Sequence, residues 1–186
     1  MGIDMATTDA AFGFAPYQEL KHASMYAVVT SNAVQVCIGD SVETVGTAIS
    51  TAKFGTLQAA ITEETGAAGS HLGVVLACFD DDGFPINRIP VTTVGDSTVA
   101  GYVLVADDPE QEYLVQEDGD TSSLVVANIG LNCDAVSTGT PTASNNYLSK
   151  MELDSNTIAN TNSLAWKVIG VHPDDTISAA GAAGNY

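Results

Sequence analysis

Positive charge is what this chain most lacks: five Lys and Arg stand against 23 Asp and Glu, a formal net charge of -18 over 186 residues. Binding a nucleic-acid backbone requires clustered cations that displace counterions, and Lys21, Lys53, Arg88, Lys150 and Lys167 are scattered singly. The balance argues against nucleic acid as a partner, and anionic membranes would repel the chain for the same reason. No apolar run reaches membrane-spanning length, and the opening MGIDMATTDAAFGFAP has neither a basic nor an apolar leader region. Cysteine is also scarce. Cys37, Cys78 and Cys133 are odd in number, widely spaced and without C-x-x-C pairing, so they are expected to be reduced, buried small hydrophobes in a reducing compartment.

Catalytic signatures are missing too. There is no G-x-S-x-G elbow, no catalytic cysteine signature and no phosphate-binding glycine loop; AGAAGNY lacks the Lys and following Ser or Thr that would hold phosphates. A Ser, a His and an Asp could converge in space, but nothing in the sequence selects three. His22, His71 and His172 stand apart, without i, i+4 spacing or a nearby cysteine pair. Two acidic clusters, Asp80 to Gly83 and Glu117 to Asp120, lack the alternating ligands and closing Glu of a calcium loop and read as solvated turns. The sequence is thus read as non-enzymatic, with no cofactor and no metal ligand.

What is present is a hydrophobic fraction of 45% with only 15% charged residues, enough for a core rather than a disordered chain. Short β-type runs recur between Gly, Asp, Asn and Pro: Met25 to Thr30, Val34 to Ile38, Leu72 to Phe79, Tyr102 to Ala106, Glu112 to Gln116 and Leu164 to Val171. Val34, Val36 and Ile38 are expected on one face with Gln35 opposite, and Leu164, Trp166 and Val168 on one face with Lys167 opposite. Val74 to Ala77 is apolar throughout, so that strand is expected to be covered on both faces, by core and by either a loop or a neighbouring subunit. Trp166 is read as core or subunit-interface packing. The best helical candidates, Thr56 to Thr62 and Ser122 to Asn128, are short and rich in residues that also suit strands.

The expected fold is all-β, a compact β-barrel or β-sandwich of short antiparallel strands with few or no helices. Residues 1–24 are expected to form an extended N-terminal arm, residues 25–177 the β domain and residues 178–186 a small-residue tail. On the arm, Phe12, Phe14 and Tyr17 are the candidate partner-binding residues, because aromatics on an otherwise polar segment suit anchoring.

The stretch Gly101 to Gly119, GYVLVADDPEQEYLVQEDG, reads as a hairpin: Tyr102 to Ala106 and Glu112 to Gln116 as partner strands around a turn at Asp107, Asp108 and Pro109. It resembles a segment of the decoration, cement or minor capsid proteins of tailed bacteriophages, in which an aromatic-led apolar strand runs into ADDP and then a QED-like run. IGDSV from Ile38, HLGVVLACF from His71, IGLNCDAV from Ile129, and MELDSNT with LAWKVIGV between Met151 and Val171 are similar to further motifs of that family in the same order. The resemblance spans roughly residues 25 to 172. It differs at the end, where the family commonly continues into another apolar strand. It implies a structural virion protein, made in the host cytoplasm, that binds the outer capsid surface as a homotrimer and reinforces contacts between major capsid proteins. The acidic charge suits a face turned away from packaged DNA. Two other classes remain open on sequence: a tail-fibre or adhesive virion protein, and a trimeric β-barrel hydrolase of the dUTPase type, for which the scattered cations are poor support.

Overall fold

The computed structural model describes residues 11–29, 34–49, 58–63, 71–91, 99–119 and 124–170. The described chain is all-β. In chain order its strands are β1 (Ala15–Pro16), β2 (Ser24–Val29), β3 (Val36–Cys37), β4 (Ser41–Ile49), β5 (Gln58–Glu63), β6 (His71–Phe79) and β7 (Pro85–Ile86), followed by β8 (Arg88–Ile89), β9 (Val99–Ala106), β10 (Tyr113–Leu114), β11 (Asn132–Ser137), β12 (Met151–Ala159) and β13 (Trp166–Lys167). The tail at 178–186 and the arm's first ten residues lie outside the described residues.

The largest sheet runs β4-β5-β2-β9-β6-β7, and β6 also pairs back onto β4, so its ladders close a curled, barrel-like ring of five strands. All its neighbours are antiparallel except β2 and β5. Register shifts in β2, β4 and β6 supply the bends that closure requires. Gly73 sits at the seam: a Cβ there would lie 2.0 Å from the Ala106 carbonyl oxygen, so only glycine permits the approach. Alternating apolar residues fill the ring, with Val28, Val42, Val75, Val103 and Val105 joined by Val36 and Ile89 from the small β3–β8 ribbon. A second sheet, β12-β11-β13, packs beside the ring, and β1 pairs with β10 across the junction.

Several local expectations change. Tyr102 to Ala106 is a strand, but Glu112 to Gln116 does not pair with it. Both edges of β9 are already taken by β2 and β6, so the chain leaves after Ala106 and Tyr113–Leu114 pairs with β1 instead. Val36 is fully buried as expected, but Val34 and Ile38 are exposed and Gln35 is buried, against the expected faces. The segment forms only two strand residues before turning at Gly39 (φ +92°), and the Gln35 amide is satisfied by the Pro141 carbonyl at 2.7 Å and by Arg88 at 2.6 Å. Thr56 to Thr62 is not helical where described, since Gln58–Glu63 is β5, and the described part of Ser122 to Asn128, residues 124–128, holds only a 3-10 turn at Val126–Asn128. The apolar strand β6 is covered within its own subunit: Val75 and Cys78 face one core cluster and Val74 another.

All three cysteines are free and buried. Burial, reinforced by Asp40, pushes the Cys78 thiol from its ordinary 9.0 up to about 12, and burial with Asp134 and Asp154 does the same for Cys133. A thiol held neutral in the fold ionises earlier in the unfolded chain, so its contribution to stability is intact below pH 9 and is lost as pH rises from about 9 towards 12. Urea midpoints should therefore be flat from pH 7 to about 8.5 and fall steeply above 9, with a shallower fall in Cys78→Ala. Native protein should resist thiol alkylation at pH 8 and react at three thiols once unfolded.

Candidate functional site

Where the ring meets the second sheet, the chain builds an aromatic trough. Gly13 (φ +76°) makes its construction possible: a Cβ would fall 2.5 Å from the Gly39 carbonyl oxygen and 2.4 Å from Ser149 Cβ, so only glycine lets the N-terminal segment cross here. The next residue, Phe14, donates its backbone N–H to Gly39 and drives its side chain inward. Its ring stacks on Trp166 with centroids 4.3 Å apart and planes 21° from parallel. Tyr113 meets the same indole edge-on at 5.4 Å, and His71 at 4.4 Å. Val74, Ala135 and Met151 pack beneath, so one cluster draws on the N-terminal segment and both sheets.

Polar contacts fix these rings. The Tyr113 hydroxyl donates to the Ala106 carbonyl at 2.9 Å; burial, then Asp107 and Asp108, raise its pKa. His71 Nδ1 lies 3.3 Å from Ser41 Oγ, and since Ser41 is fully buried the pair orients the imidazole rather than presenting a nucleophile. The Trp166 Nε1 atom is buried without a hydrogen-bond partner among the described residues.

Above this floor lies a cavity of about 750 Å³ with two unlike rims. One is apolar: Leu114, Ile129 and Ile169 are all exposed, Ile169 by 60%, and Ile129 donates its N–H to the carbonyl of Val126 on the 3-10 turn. The Gly130–Val168 and Val168–Leu131 backbone bonds hold Ile129 and Ile169 together. The other rim is the acidic turn after β9, carrying Asp107, Asp108, Glu110 and Glu112. Asp107 anchors it. Burial opposes ionisation of this carboxyl, but hydrogen bonds from Tyr26, His22 and Ser24 outweigh that and hold it below its usual range. The same contact and burial raise Tyr26 to about 12.

The three arm aromatics therefore part company. Phe14 is only 2% exposed, an internal anchor of this domain. Tyr17 is 37% exposed beside the acidic rim, its N–H bonded to the Glu112 carbonyl. Phe12 is equally exposed at the far side of the Gly13 crossing, where Ile38 and Leu148 are also exposed on adjoining segments. Sequence reasoning passed over Leu114, Ile129 and Ile169, because exposure of an apolar residue inside a strand-like run carries no local signal.

Where described, the acidic clusters are tied into the fold. Asp80 Oδ1 accepts the N–H groups of Asp82 and Phe84, and Asp118 Oδ1 accepts from Ser155. Glu117 is buried rather than solvated, taking the Leu124 N–H at 3.1 Å; Asp120 lies outside the described residues.

If the stack joins the two sheets, Phe14→Ala should cost about 3–5 kcal/mol in urea unfolding, while Tyr17→Ala stays within about 0.5 kcal/mol. A double-mutant cycle between Phe14 and Trp166 should return a coupling of roughly 1 kcal/mol. Comparison with family models, with curated proteins and with solved structures finds no match to this chain.

Proposed function

We propose that this chain is a structural protein of a tailed-phage head, a decoration protein that sits on the outer capsid surface as a homotrimer and reinforces contacts between major capsid proteins without chemistry. The observation that carries the reading is the ordered series of motifs from Ile38 to Val171 that resembles this family, centred on GYVLVADDPEQEYLVQEDG. Three physical features support it. A net charge of -18 suits a surface directed away from packaged DNA. The small β-rich domain exposes two apolar patches, one at the trough and one around Phe12, Ile38 and Leu148, which suits a protein that bridges neighbours. A ligand that binds only the assembled shell stabilises that state by mass action, and three linked copies let modest contacts act together.

Heads lacking the protein, incubated with purified chain and imaged, should gain density over three-fold and quasi-three-fold positions, and should lose their DNA at higher temperature than bare heads. Phe12→Ala and Tyr17→Ala should lower occupancy while leaving the unfolding midpoint near that of the unaltered chain. Density at the tail tip would favour an adhesive role, and nucleotide hydrolysis by the purified chain would favour the dUTPase-type reading. Either result would overturn the proposal, as would a strict monomer scattered over the lattice.

A further inference from the structure

We infer that the aromatic trough is a docking seat for a protein segment that presents a bulky apolar side chain between lysines or arginines. The cavity offers an aromatic floor of the half-buried Tyr113 and Trp166, backed from inside by the buried Phe14, and an apolar rim of Leu114, Ile129 and Ile169 left exposed to water. An apolar anchor inserted there would cover both. In the same lining, Asp108, Glu110 and Glu112 set the sign of the flanks, with Lys167 the single Lys or Arg among the described lining residues. Lys21 reaches Glu110, at 3.9 Å between charged atoms, but that carboxylate remains 85% exposed, so it stays available to an incoming cation.

Charge also decides among occupants. A second copy carries the same acidic rim and only five Lys and Arg in all, so copies repel at this seat. The inference stands apart from the phage-head reading, since it rests on the trough alone.

Trp166 is the only tryptophan, which makes the trough self-reporting. A displayed random peptide library lacking tryptophan, selected on the immobilised full chain, should enrich peptides with Phe, Leu or Met flanked by Lys or Arg. Titrating the enriched peptide should give a saturable change in Trp166 emission that weakens with salt. Binding should weaken about tenfold in Glu110→Lys and by a similar factor in Ile169→Ser, two changes at solvent-facing side chains that leave the fold intact. No enrichment, an acidic or uncharged consensus, or an emission change that survives both variants would overturn the assignment. So would Trp166 emission that tracks protein concentration without peptide, which would give the trough to a second copy.

Discussion

The stack of Phe14 on Trp166 is the contact on which the arrangement of the two sheets depends. Phe14 comes from the segment before β2, Trp166 from β13 near the far end of the described chain, and Val74, Ala135 and Met151 reach the same cluster from β6, β11 and β12. Contacts of such large sequence separation form late and at high entropic cost, so they must be dense to hold. Three aromatic partners around one indole supply that density. The trough is a consequence: large flat rings, one pair stacked and the others edge-on to it, close the floor of the junction but cannot fill the space above it.

The acidic rim follows from strand pairing in the ring. Because β2 and β6 occupy both edges of β9, the chain beyond Ala106 has no ladder to join and must turn outward. Asp107 stops that turn from drifting, since its two carboxylate oxygens are held by His22 at 2.6 Å and Tyr26 at 2.7 Å. Asp108 caps the next bend by accepting the Glu110 N–H at 2.8 Å. Carboxylates that look like a solvating cluster in sequence therefore divide into Asp107 and Asp108, which shape the loop, Glu112, half-buried and accepting the Gln18 amide at 3.2 Å, and Glu110, which faces outward.

How much of this was legible beforehand depends on range. The all-β class, the strands around β2, β6 and β9, and the burial of the cysteines could be read from apolar runs and Gly, Asn and Asp punctuation, which are local signals. Pairing was not local. Nothing between Tyr102 and Gln116 reveals that β9 has two other partners, so a turn-like ADDP was read as a hairpin. Gln35 was misplaced because its burial depends on Arg88 and the Pro141 carbonyl, 53 and 106 residues away. Phe14 was read as a free anchor since its neighbours are small and polar; only the positive φ of Gly13 and the close crossing at Gly39 and Ser149 turn its ring into the core.

Extreme acidity and exposed apolar side chains look contradictory, and their pairing explains how such a surface can exist in solution. Like charges on every copy oppose indiscriminate aggregation, so apolar patches that would drive it on a neutral protein remain accessible. The same charge then filters what can cover them. On the docking inferred for the trough, a partner must bring cations to reach it beside Glu110 and Glu112, while a contact at Phe12, Ile38 and Leu148 would be chiefly apolar. The two patches would thus select by different physics, one by sign of charge and one by shape. Raising the salt would weaken attachment at the first while leaving the second nearly untouched.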